Sequence, residues 1–205
     1  MKKKLARLVL ASGNPGKLGE IQALLAPLGV EVIPQSALGI AEPEEPHATF
    51  LENALAKARH ASRAAGLPAL ADDSGLCVAG LDGAPGVHSA YYAGVAGTRA
   101  ERDARNNRRL VAEVAGLGER RAHYRCVMVL ARCPDDPEPL VSEGVWHGEI
   151  TLSPRGTNGF GYDPHFLVRP LGRTAAELAP DEKNRISHRG LAATRLIARL
   201  AEGEI

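Results

Sequence analysis

Cysteine is scarce in this chain: Cys77, Cys126 and Cys133 are all it has in 205 residues. The number is odd and no pair stands in a C-x-x-C spacing. That argues against a disulfide framework and against a thiolate zinc site, and it favours a reducing compartment. Charge of one sign is also lacking. Lys and Arg number 25 against 24 Asp and Glu, a formal net charge of +1, so no bulk field draws DNA, RNA or a membrane surface. No segment approaches the roughly 20 consecutive apolar residues that span a bilayer. The opening MKKKLARLVLASG imitates a secretory leader, but Arg7 interrupts its apolar run and no small-x-small cleavage site follows. Repeats, low-complexity tracts and linkers are missing too. These absences describe a cytoplasmic protein with no nucleic-acid and no membrane partner, whose local basic patches suit small anionic ligands.

What is present is a chain 44% hydrophobic, ordinary for a globular protein. Its length suits one domain over residues 1–205. Leu5 to Ala11 is a near-continuous apolar run, the mark of a strand buried on both faces. Helix-spaced Leu18, Ile21, Leu24, Leu25 and Leu28 follow, with Asn14 as cap, Pro15 as first helical residue and Gly29 as stop. Val30 to Ile33 reads as a second strand. Thr49 with Glu52, and Thr98 with Glu101, form capping boxes that open helices ending near Gly66 and Gly116; Thr174 with Glu177 is a third candidate. Residues 121–132 alternate as a strand, Val141 to Ile150 reads as a strand or hairpin, and a last helix is expected from about His188 to Ala201. Strands and helices intermix, so the class is α/β.

Five stretches carry chemistry. Ser12-Gly13-Asn14-Pro15-Gly16-Lys17 joins a buried strand to a helix N-terminus, where free N–H groups and the helix dipole favour an anion. It is not a Walker A loop, since the spacing is short and Leu18 follows the lysine. A capped turn with a surface lysine accounts for it equally well. Glu42-Pro43-Glu44-Glu45 reads by itself as a solvated acidic loop. Ala71-Asp72-Asp73-Ser74-Gly75 reads as a turn, or as a pair of carboxylates at a strand's end able to hold Mg²⁺. Gly156 to Pro164 sets glycines around Phe160 and Tyr162, as a tight hairpin or as a platform for a flat ligand. Lys183 to Gly190 gathers cationic groups before the last helix. Asn53 and Lys57, four apart, share a helix face. His47, His60, His123 and His165 read as structural or exposed. Phosphate cradle, carboxylates, aromatic platform and cationic loop together describe a nucleotide and Mg²⁺ site.

In this order the strings LASGNPGK, TFLENALAKA, ADDSGL with GAPGVHSA, GFGYDP and EKNRISHRG resemble the Ham1/RdgB/ITPase family of non-canonical purine nucleoside triphosphate pyrophosphatases. The resemblance implies an elongated two-lobed α/β fold around a long mixed β-sheet flanked by helices, with the active site in the cleft between lobes. It implies a homodimer that hydrolyses ITP, dITP and XTP to the monophosphate and pyrophosphate with Mg²⁺. Carried over, Ser12, Gly13, Asn14, Pro15, Gly16 and Lys17 bind the triphosphate, assisted by Lys57. Asp73 is the proton acceptor and a Mg²⁺ ligand, with Glu44, or its neighbour Glu45, as the metal-associated glutamate. Ser74 touches substrate, Phe160 stacks on the base beside Gly161, Tyr162 and Asp163, and Lys183, His188 and Arg189 complete the contacts. His47 departs from the glycine that relatives often carry there. The readings left beside this one are a Maf-like pyrophosphatase with another base preference and a non-catalytic nucleotide-binding module.

Overall fold

The computed structural model describes residues 5–202, so the first four residues of the leader-like opening lie outside it. Strand β1 (Arg7–Ala11) leads into helix α1 (Pro15–Leu25), a 3-10 turn (Ala26–Leu28) and strand β2 (Glu31–Pro34). Gly29, at φ 64°, takes the left-handed conformation that ends that turn. Helix α2 (Phe50–Ala65) and strand β3 (Ala69–Val78) follow, then helix α3 (Arg99–Val114) and strands β4 (Arg121–Ala131) and β5 (Leu140–Ile150). Short strands β6 (Phe166–Val168) and β7 (Arg173–Thr174) precede helices α4 (Pro180–Ile186) and α5 (His188–Ala201). The strands form one mixed sheet in the order β2-β1-β3-β4-β5-β6-β7. β1 is parallel to β2 and β3, whereas β6 is antiparallel to both β5 and β7. The α/β class read from the sequence holds.

The chain divides into two compact units, and β3, β4 and β5 each supply residues to both. The first takes the chain up to Asp73, Cys126–Gly144 and everything from His188 onward. Its core is Leu8, Leu10, Ile21, Leu25, Leu70, Met128, Leu130 and Leu196. The second takes Ser74–Arg125 and Val145–Ser187, around Leu76, Leu110, Tyr124, Trp146, Tyr162 and Phe166.

Two expectations are corrected and one alternative is settled. The stretch Ala71–Gly75 is neither a turn nor a strand's end but the middle of β3. The Thr174 box forms, yet it opens only a 3-10 turn over Ala175–Glu177, because Pro180 soon starts a separate helix with its own entry. That helix, α4, has too short a pattern to stand out in the sequence. Residues around Gly144 and Gly148 make one continuous strand and no hairpin.

Candidate functional site

In the first unit the loop after β1 is organised by its own side chains. Asn14 Oδ1 accepts from Gly16 N at 3.0 Å and Lys17 N at 3.2 Å, capping α1, and Ser12 Oγ accepts from Asn14 N at 3.2 Å. Pro15 stands at the first helical position, where no N–H is needed. Gly13 N donates to Glu42 Oε1 at 2.5 Å, so a carboxylate of the acidic loop already sits on a donor that the cradle would offer an anion. A carboxylate on a backbone N–H forms a charge-assisted bond that a competing anion has to displace. Glu42→Ala is therefore expected to tighten inorganic pyrophosphate binding by about threefold to tenfold, as read by calorimetry.

Strand pleating separates the two aspartates. Successive side chains of a strand point to opposite faces, and Asp72 and Asp73 accordingly have different partners. On one face Asp72 Oδ2 meets Lys17 Nζ of α1 at 3.1 Å and Arg189 Nη2 of α5 at 3.3 Å. Arg189 is itself only 1% exposed and also pairs with Glu20. On the other face Asp73 Oδ1 meets Lys57 Nζ of α2 at 3.0 Å, and its Oδ2 accepts from Asn53 Nδ2 at 3.3 Å. Lys57 also holds Glu45 Oε1 at 3.1 Å.

Their acidities diverge accordingly. Burial alone would raise the Asp72 carboxyl, but Lys17, Arg189 and Lys57 outweigh it and hold it well below the usual carboxylate range. Burial also raises Asp73; Lys57 and Lys17 oppose this without cancelling it, and Glu45 adds to it, so its carboxyl lies above the usual value. Lys57 is disfavoured as a cation by burial, yet Asp73, Glu45 and Asp72 raise it. Of two neighbouring carboxyls pushed in opposite directions, the raised one is the better suited to take a proton.

Among the described residues no group of three or more His, Cys, Asp or Glu is placed to hold a metal ion. The donor chemistry nonetheless fits Mg²⁺, because Asp73 and Glu45 bring hard carboxylate oxygens to one ammonium. Mg²⁺ is bound by one or two carboxylates together with waters and substrate phosphates. Glu44 is exposed one residue earlier in the same loop.

The second unit holds the aromatic loop. Gly159 has φ 73°, and a Cβ there would lie 2.1 Å from Asp163 Oδ2, so only glycine fits. Asp163 accepts from Phe160 N at 2.9 Å and pairs with Lys183 Nζ at 2.6 Å. Lys183 lies 5.0 Å and the Arg99 guanidinium 5.1 Å from the Phe160 ring centroid. From α3, Asp103 accepts from Gly161 N at 3.2 Å and Asn107 donates to Gly161 O at 2.9 Å. Tyr162 is buried, and its hydroxyl donates to Ser89 O at 2.8 Å; Asp163 is buried as well. Both build the loop, and Phe160 is half-buried beside them. Ser74 is half-buried on β3, in this unit.

Ser12 to Lys17, Glu44, Lys57, Asp73, His188 and Arg189 belong to the first unit, and Ser74, Phe160 to Asp163 and Lys183 to the second. Direct contacts join Lys17 and Arg189 through Asp72, Lys57 to Asp73, and Lys183 to Asp163 and Phe160. Sequence reasoning missed Glu42 on the cradle, Arg99 on the ring and the hydrogen bonds of Asn53. For the last a signal exists, the shared face with Lys57.

An anion-accepting loop beside buried carboxylate–lysine pairs, on a mixed sheet flanked by helices, defines an α/β protein built for a small polyanion. The Ham1 family's sequence profile matches residues 8–199, and the chain belongs to that family. A dITP/XTP pyrophosphatase of Ralstonia nicotianae is 63% identical over 196 residues, covering 96% of this chain and 97% of the relative. One of Nitrosomonas europaea is 60% identical over 198 residues, covering 97% and 96%. Among solved structures, a HAM1 protein from Coxiella burnetii shares 49% identity with a TM-score of 0.88, covering 97% of this chain and all of that one. A dITP/XTP pyrophosphatase from Mycobacterium abscessus shares 40% at a TM-score of 0.71 with the same coverage.

Proposed function

We propose that this chain hydrolyses non-canonical purine nucleoside triphosphates, ITP, dITP and XTP, to the monophosphate and pyrophosphate, and so cleanses the nucleotide pool. The observation that carries the reading is the Asp73–Lys57–Glu45 cluster in a chain about 60% identical to proteins named for that activity. Ser12, Gly13, Asn14, Gly16 and Lys17 hold phosphate oxygens, while Lys57 is a positioned cation for charge on the leaving pyrophosphate. Asp73, its carboxyl raised by burial, takes the proton of the water that attacks the α-phosphorus. Asp73, with Glu44 or its neighbour Glu45, would hold Mg²⁺. When bound, the ion supplies Lewis-acid neutralisation of the triphosphate charge. Phe160 offers its ring to the base, and Lys183, held by Asp163, stands beside it.

Selectivity for a 6-carbonyl purine follows if a buried donor faces that oxygen, because ATP would leave the donor unpaired. The family resemblance supports a homodimer as the working form. No helix among the described residues is long and apolar enough to cross a membrane.

The test is product analysis with purified protein and Mg²⁺. Pyrophosphate release from ITP, dITP and XTP, well above that from ATP, dTTP and UTP, is expected. Preference for dTTP or UTP would favour the Maf-like reading, orthophosphate would indicate a phosphatase, and binding without turnover a non-catalytic module.

A further inference from the structure

We infer that Asn53 is a positioning residue that holds the acidic loop and the Asp73 carboxylate in a common geometry. Residues 53, 57 and 60 lie on one face of α2, at the i, i+4, i+7 spacing of a helical stripe. They grip the loop at three points running the opposite way. Asn53 binds both backbone groups of His47, its Oδ1 accepting from His47 N at 3.1 Å and its Nδ2 donating to His47 O at 3.2 Å. Lys57 holds Glu45. His60 Nε2 contacts Ala41 O at 3.0 Å. Glu42, Glu44 and Glu45 all lie between the outer two clamps.

Lys57 joins the loop to β3 through a side chain of each, whereas Asn53 alone among the three joins the loop's backbone to β3 through one group. Its Nδ2 is shared between His47 O and Asp73 Oδ2, and the residue is 1% exposed. The orientation of the amide is dictated, since a backbone N–H demands the oxygen and the carbonyl and carboxylate demand the nitrogen. No other side chain of this size serves. Aspartate could accept from His47 N but could donate to neither His47 O nor Asp73, and it would add a charge beside Asp73 and Glu45. An aliphatic residue would leave two backbone groups of the loop without their partner. Asn53 touches no substrate on this reading, so it acts through Asp73 and the loop glutamates.

The inference rests on the proposed hydrolysis, and its test has one arm that does not. Outer partners of this kind typically change activity or metal affinity by about 10- to 100-fold when removed. For Asn53→Asp, which keeps the shape, kcat with ITP is expected to fall by about that factor with KM within about twofold, and the Mg²⁺ concentration for half-maximal rate to rise at least about fivefold. For Asn53→Ala, amide hydrogen exchange of His47, read in metal-free protein without nucleotide, is expected to speed up by about tenfold or more. A merely structural residue would lower the melting temperature and leave the kcat of the folded protein and the Mg²⁺ midpoint where they were. Folded variants with kcat within about threefold of wild type, or an unmoved Mg²⁺ midpoint, overturn the inference. So does retained exchange protection at His47 in Asn53→Ala, whether or not the wild type hydrolyses ITP.

Discussion

Asp73→Asn is expected to lower kcat for ITP by about 1,000-fold, within the range that loss of a positioned general base produces. Asparagine matches aspartate in shape, and one of its amide atoms can still meet Lys57 or Asn53, so the fold is retained. What it cannot do is take a proton, and it offers a metal one neutral oxygen where a carboxylate offered charge. Lys57 keeps Glu45 as a partner and is not left alone in the interior. The measurement is single-turnover hydrolysis at saturating ITP and Mg²⁺, beside circular dichroism and a thermal melt. A variant that folds normally and keeps more than about a tenth of wild-type kcat would remove Asp73 from the proton-accepting role.

Much of the frame behind that prediction is written locally in the sequence. The caps at Asn14, Thr49 and Thr98 mark where α1, α2 and α3 begin, because a cap is a contact between residues two or three apart and needs nothing distant. Helix α5 is legible from its period. The stretch Ala71–Gly75 is misread for the complementary reason. Asp, Ser and Gly signal a turn when their partners are nearby backbone, but in β3 the partners are Lys17, Lys57 and Arg189, on three other elements. A buried strand tolerates adjacent carboxylates only when cations are delivered to both faces, and no local pattern encodes that delivery. The same limit hides Glu42 on Gly13, 29 residues away, and Arg189 as a fully buried member of an ion network. The resemblance assigns residues to the site, but only packing shows that Tyr162 and Asp163 also build the aromatic loop.

Arg189 and Asp72 make the largest expected stability effect. Asp72→Asn takes the negative charge from between Lys17 and Arg189, and removing one partner of a buried ion pair costs about 3–5 kcal/mol. Lys17 is 15% exposed along its side chain and Arg189 keeps Glu20, so the lower end, about 3 kcal/mol, is expected. For a chain of this length that is a fall of about 6–12 °C in melting temperature. The pH dependence gives the sign. The folded-state acidity of Asp72 lies below its unfolded value, so its contribution is fully present above about pH 4, the ordinary aspartate range, and fades as pH falls through the lower folded value. In metal-free buffer the gap between wild type and Asp72→Asn should therefore be constant from neutral pH to about pH 5 and narrow below pH 4. The double variant Asp72→Asn/Arg189→Met should lose less than the two single changes added, by at least about 1 kcal/mol, since the partners couple directly. Additive losses, or a gap that widens in acid, would mean that Asp72 is held by packing and not by the charges that face it.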